Sequence, residues 1–277
     1  FTVLAYLAGV TNTIRLGSAV TVLPFHNPIQ VAEQAATVDL LSNGRLDFGV
    51  GRGFQWGEYH KLNIAMDEAS RRFEESMEVI TKAFTQEKFS HQGKHYQLPP
   101  EVPYRGYQLK ELTLVPRPLT QPVDIWQPLV SANPRGIDFM AKMGIKPLIA
   151  NNPPAALEEK LQMLQSARAK YGKESGLGED VALGFRIFIA ETKEKAIRQA
   201  RPYFEEAMKF AAPLGLTPLN QEQIAAVAGS GQRGGVQLPT LEEASASKAW
   251  LCGSPETIIA HLKGVEQKYP GAERINL

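Results

Sequence analysis

An apolar run, then an Asn-Pro or Ser-Pro step, then an amphipathic helix: this order recurs along the chain and constrains its fold more than any other feature. Ile14–Leu23 is β-branched and apolar and ends at Pro24, the pattern of a strand buried on both faces. Asn27 suits a helix N-cap and Pro28 the first helical position, where a missing N–H costs nothing, so a helix is predicted over 29–41. Asn43-Gly44 supplies its stop, and Arg45–Val50 is the next strand. The punctuation repeats: strand Ile125–Val130, a Ser131-Ala132-Asn133-Pro134 cap, and a helix to Gly144. Strand Lys146–Ala150 then leads through Asn152-Pro153-Pro154 into a helix to Tyr171, with Leu157, Leu161 and Leu164 on one face. Val181, Leu183, Phe185, Ile187 and Ile189 alternate as one strand, and Ile197, Ala200, Phe204, Ala207 and Met208 keep helical spacing. Ser254-Pro255-Glu256 opens another helix, and Arg274–Leu277 begins a last strand.

Strands alternating with helices of this length imply a parallel sheet with right-handed crossovers. No G-x-G-x-x-G opens a helix after the first strand, which disfavours a dinucleotide-binding open sheet and favours a closed (β/α) barrel. Two stretches break the rhythm. Phe89–Leu98, with Gly93 at its middle, is predicted as a hairpin after a long helix over 67–88. Pro213–Ser247 is rich in Gly, Pro, Gln and Ser, and a loop of that length in a barrel is expected to be an insertion or mobile lid.

The site of a (β/α) barrel lies at the C-terminal strand ends. Three groups sit there: Ala19, Val20, Pro24, His26 and Asn27; Arg52 flanked by Gly51 and Gly53; and Ser131 with Asn133. Glycines around Arg52 let a ligand approach the backbone, and a guanidinium grips phosphate at two points. Ser131 before a helix N-terminus adds a hydroxyl to free amides, although helix capping alone also explains Asn133-Pro134. Arg52 and Ser131 are therefore candidates for one phosphate clamp. His26 and His60 are candidate acid/base or substrate contacts, with polar packing the competing role. Trp56, Tyr59 and Trp126 suit wall or core, and Asp67, Glu68, Glu74, Glu75 and Glu78 suit a solvated helix face. His91 and His95 flank Gly93 at a hairpin tip, a poor metal geometry, so no metal site is expected.

Charge excludes other classes. Thirty Lys+Arg against 29 Asp+Glu give a formal charge of +1, without the basic stripe of a nucleic-acid binder. No apolar run approaches the roughly 18 residues of a membrane span, and Phe1–Val10 lacks a basic leader. The lone Cys252, read as a small packed residue, cannot form an internal disulfide, which points to a reducing, cytoplasmic location.

Several segments together match a family. Thr13–Pro28, Ala32-Glu33-Gln34-Ala35-Ala36, Ser42–Gly53 and Arg72-Phe73-Glu74-Glu75 resemble luciferase-like, flavin-dependent monooxygenases, as do Pro116-Arg117-Pro118 and Gly253-Ser254-Pro255-Glu256. The resemblance implies a (β/α)8 TIM barrel with reduced FMN at the strand C-termini. It implies a non-proline cis peptide at Ala19–Val20 against the flavin ring, and FMN-phosphate contacts from Arg52, from Arg71 or its neighbour Arg72, and from Ser131. It also implies a mobile loop at 213–247 and a homodimer. Against the family pattern, the chain is expected to lack the first strand, helix and second strand and the last helix, leaving one barrel domain over 1–277 incomplete at both ends. The family's histidine after strand two has no counterpart, and its cysteine before the phosphate arginine is Gly51.

The expected function is an FMN-dependent monooxygenase that uses reduced flavin and oxygen on a small organic substrate: an aldehyde, ketone or hydrocarbon. Without a nicotinamide fingerprint, a separate flavin reductase is the expected electron donor. The alternatives are a deazaflavin-dependent hydride-transfer oxidoreductase and a non-catalytic flavin-binding protein.

Overall fold

The computed structural model describes residues 1–101, 103, 105–150, 152–212, 214, 222–223 and 238–276. The chain divides into two compact units, Phe1–Pro128 with Met143–Lys146, and Leu129–Lys142 with Pro147–Leu277.

The first unit opens with helix α1 (Thr2–Val10) and the short strands β1 (Leu16–Gly17) and β2 (Thr21–Val22). Helix α2 (Pro28–Leu41) starts where the cap was expected, with Asn27 Oδ1 accepting from the Ile29 amide at 2.9 Å. It ends through Asn43 and Gly44, both at positive φ, with the Gly44 amide donating to Asp39 O. Strand β3 (Leu46–Gly51) pairs in parallel with β1, β2 and β6 (Ile125–Pro128). Val31, Ala32, Ala35 and Ala36 of α2 are buried, as are Met77, Val79, Ile80 and Ala83 of α4 (Ala69–Thr85), which packs on α2. Full burial of a side chain such as Ile80 contributes about 1.5–3 kcal/mol. Arg45 holds the chain leading into β1: its guanidinium donates to the carbonyls of Ala8, Thr11 and Ile14.

The expected continuous strand Ile14–Leu23 is interrupted. Gly17 faces Asp47 and Thr21 faces Val50, so four steps on one side oppose three on the other. That one-residue excess is a bulge at Ser18–Val20. Ser18 Oγ donates to Gly49 O at 2.7 Å, and Thr21 Oγ1 donates to Ser18 Oγ at 3.2 Å, so side chains replace ladder bonds there.

The predicted helix over 67–88 is shorter: one 3-10 turn, Met66–Glu68, precedes α4, which ends at Thr85. The hairpin forms as expected, with β4 (His91–Gln92) antiparallel to β5 (Gln97–Leu98). It corrects the solvated-face expectation for Glu75. The hairpin folds over α4, and the Glu75 carboxylate accepts from the His95 amide at 3.0 Å, the Tyr96 amide at 2.9 Å and His91 Nε2 at 3.3 Å. A Cβ on Gly93 would lie 2.0 Å from that carboxylate, so a side chain there would displace it. Burial alone would raise the Glu75 pKa; the accepted hydrogen bonds outweigh it and hold the carboxyl below its ordinary value. The stabilisation is therefore full above the ordinary glutamate range and is lost as pH falls through the depressed folded value. Glu75→Gln is expected to cost about 1–3 kcal/mol near neutrality. Urea unfolding should show the gap to wild type closing in acid; a gap that ignores pH would sink the assignment.

The second unit holds α5 (Pro134–Met143), β7 (Lys146–Ala150), α6 (Pro154–Lys170), β8 (Val181–Gly184), β9 (Ile187–Ile189) and α7 (Lys193–Ala211). Helix α8 (Leu241–Ala246), β10 (Leu251–Gly253), α9 (Pro255–Lys268) and β11 (Ala272–Asn276) follow. Strands β7 and β11 flank β8 in parallel, while β9 pairs in parallel with β10. The expected single strand over 181–189 is thus two, because the chain changes partner. The Phe185 amide donates to Asn276 O, whereas Arg186 O accepts from the Leu251 amide. Cys252, Ala196, Ala200, Phe204 and Leu241 form a buried cluster there, in keeping with a packed role for the cysteine.

Of the expected lid over 213–247, residues 213, 215–221 and 224–237 lie outside the described residues. Its end is a capped helix: Thr240 and Glu243 exchange a capping box at the start of α8. Among the described residues, no helix is long and apolar enough to cross a membrane.

Candidate functional site

In the first unit, the glycines of β3 exist because the bulge presses on them. A Cβ on Gly49 would lie 1.7 Å from Ser18 O, and one on Gly51 would lie 2.5 Å from Val20 Cγ2. Any side chain at 51 would overlap the stiff β-branched Val20. The Ala19–Val20 peptide is cis, with Ala19 exposed and Val20 half-buried. Ala19 thus leaves backbone open to solvent beside the end of β3.

Arg52 follows directly, exposed, and its Nη1 donates to Ser70 Oγ at 3.0 Å. Ser70 lies in the first turn of α4, which continues from the 3-10 turn, the Ala69 amide donating to Met66 O. Gly53 stands at φ +77°, the left-handed turn that carries the chain away from the strand. Beneath it Tyr59 is buried, edge-on to Phe25 at 4.7 Å, and its hydroxyl donates to Arg52 O. Burial pushes the Tyr59 phenol up to about 12, opposed by the cations Arg52 and Arg72. Tyr59 is therefore the neutral donor that fixes the arginine backbone, the wall role expected of it.

The two helix arginines differ. Arg72 is bound to Glu68 at 3.0 Å, an (i, i+4) pair, whereas Arg71 is exposed and makes no ion pair with any described residue. The expected histidines are not drawn together with Arg71 by any described hydrogen bond. His60 is exposed and stacks on Trp56 at 4.8 Å, and Trp56 is 66% exposed. His26 is exposed at the end of the 3-10 turn Leu23–Phe25. Among the described residues, no group of three His, Cys, Asp or Glu could hold a metal ion.

In the second unit, Ser131 is exposed between the last ladder bond, Leu129 N to Leu148 O at 2.8 Å, and the α5 cap. Asn133 Oδ1 accepts from the Arg135 amide at 3.0 Å, as the capping expectation required. Sequence reasoning missed Ser70, the partner of Arg52, and the burial of Lys160, whose ammonium donates to Val130 O beside Ser131. Ser70 carries a faint signal, a hydroxyl beside two arginines at a helix start; Lys160 carries none, since it follows Glu158-Glu159 and resembles a surface lysine.

The family model described as luciferase-like monooxygenase matches residues 1–270. The oxygenase component of the flavin-dependent trigonelline monooxygenase of Acinetobacter baylyi is 29% identical over 239 residues, covering 80% of this chain and 61% of that protein. The chain thus spans under two thirds of the length of the curated relatives it matches. Among solved structures, the oxygenating constituent of 3,6-diketocamphane monooxygenase from Pseudomonas putida, in complex with FMN, superposes with a TM-score of 0.73 at 19% identity, covering 100% of this chain and 76% of that one. An F420-dependent secondary alcohol dehydrogenase reaches 0.68 at 14% identity, covering 98% and 76%. At these identities the structures speak to the fold, an α/β architecture of mostly parallel strands. With nearly its whole length matched by the family model, the chain belongs to the luciferase-like monooxygenase family.

Proposed function

We propose that the full-length protein is an FMN-dependent monooxygenase that oxidises a small organic substrate, an aldehyde, ketone or hydrocarbon, with oxygen. The observation that carries this is the exposed Arg52, set between the Ala19–Val20 bulge and the first turn of α4. The residues fit the group. A phosphate dianion needs cations not already neutralised, and Arg52 and Arg71 are exposed without a carboxylate partner among the described residues. Ala19 and Val20 would face the flavin ring, and Ser131 is proposed as a further phosphate contact. When bound, reduced flavin supplies the electrons with which oxygen is activated, and the protein's work is binding, orientation and water exclusion. His26 and His60 remain the proposed polar contacts to substrate.

Further parts of this reading are that residues 1–277 belong to a single (β/α) barrel domain, a lid over 213–247, a homodimer, a cytoplasmic location and a separate reductase as donor of reduced flavin. The relative named as an oxygenase component supports the last of these. The deazaflavin reading is kept because an F420-dependent dehydrogenase shares the fold. The test is turnover of a substrate panel by the full-length protein. Oxygen-dependent product with reduced FMN supports the monooxygenase. Anaerobic turnover with a deazaflavin overturns it, and tight flavin binding without turnover favours a storage role.

A further inference from the structure

Lys160 lies on α6 and is 6% exposed. Its ammonium donates to Val130 O at 2.7 Å, to Asn152 Oδ1 at 2.8 Å and to Leu129 O at 3.4 Å. Asn152 Nδ2 in turn donates to Ala150 O at 2.6 Å. Both carbonyl groups it caps, Leu129 and Val130, stand where the chain leaves the sheet; the Leu129 amide makes the last ladder bond. Leu129 is buried, and a buried carbonyl without a donor is costly, so the lysine does for it what the next strand residue would have done.

A cation is an expensive way to do it. Desolvation of an ammonium costs several kcal/mol, and an apolar residue of similar volume is often the more stable choice. Among the described residues Lys160 makes no ion pair, and burial lowers its pKa by more than the nearby Glu159 carboxylate raises it. What the cation secures is local. Leu129 and Val130 are held from one side and Asn133 is held by its cap, leaving Ser131 and Ala132 as a two-residue span between fixed ends. Asn152 ties the same ammonium to the end of β7.

We propose that Lys160 is a positioning residue that fixes the 129–133 turn so that the Ser131 hydroxyl is held for an anionic ligand group. It acts through the turn and, buried as it is, does not itself touch the ligand. This rests on the reading of Ser131 as a phosphate contact.

The test uses the full-length protein with FMN and riboflavin, which differ only in the phosphate. In Lys160→Met, FMN affinity is expected to fall roughly tenfold while riboflavin affinity holds, and the amides of residues 131–133 should exchange faster in the ligand-free protein. Lys160→Arg, which keeps a cationic donor, should recover part of the selectivity. If the methionine variant fails to fold, Lys160→Gln carries the same comparison. Unchanged FMN-to-riboflavin selectivity in a folded Lys160 variant, with selectivity lost in Ser131→Ala, overturns the role of Lys160 alone. Unchanged selectivity in Ser131→Ala overturns the phosphate reading on which the proposal stands.

Discussion

Arg52→Ala is expected to raise the dissociation constant for FMN by roughly 10- to 150-fold, equivalent to about 1.5–3 kcal/mol, and to leave riboflavin binding unchanged. The magnitude is that of one charge-assisted, two-point grip on a phosphate. The fold should not suffer. The side chain is exposed and its guanidinium donates to Ser70 Oγ, while the Tyr59 hydroxyl holds the backbone carbonyl, which alanine keeps. Unfolding midpoints of wild type and variant should therefore agree within the range of a surface substitution, about 0.5 kcal/mol. Arg52→Lys should fall between the two, keeping charge but losing the fork. Because the group is exposed, the contrast shrinks with added salt, and the titration belongs at low ionic strength. Unchanged FMN affinity in folded Arg52→Ala removes Arg52 from the cofactor site.

What could be read in advance divides by range. Asn27-Pro28, Asn133-Pro134 and Ser254-Pro255 mark helix starts because capping is decided within a turn, and each starts a helix in the structure. Arg52 between glycines stood out for the same local reason. The breaks at Ser18–Val20 and Phe185–Arg186 were not legible, since the apolar alternation runs through both and only the partner strand decides where pairing slips or switches. Glu75 and Lys160 mislead in the opposite sense. Each sits among charged neighbours on a helix, and each is drawn inward by backbone groups from a segment distant in sequence. A charge whose partners are mostly main chain leaves no oppositely charged residue to find.

Gly49→Ala is expected to destabilise the protein by at least about 3 kcal/mol, at the upper end of overpacking costs. Gly49 is not at positive φ, so the cause is space and not backbone conformation. The added Cβ would lie 1.7 Å from Ser18 O and 2.9 Å from Ser18 C, both main-chain atoms that no rotamer change can remove. Relief requires the bulge to move off β3, which breaks the 2.7 Å bond from Ser18 Oγ to Gly49 O. The same displacement carries Ala19 and Val20 with it, so FMN binding should weaken even where the variant remains folded. Gly57→Ala is the internal control. It makes the same chemical change within helix α3 (Trp56–Lys61), where a Cβ meets nothing within 4 Å. There the lost unfolded-state entropy should stabilise by about 0.4–1 kcal/mol. Denaturant unfolding of the two variants side by side reads opposite signs for one methyl group. A Gly49→Ala protein as stable as wild type would mean that the bulge does not bear on β3, and the proposed flavin-facing wall would lose its support.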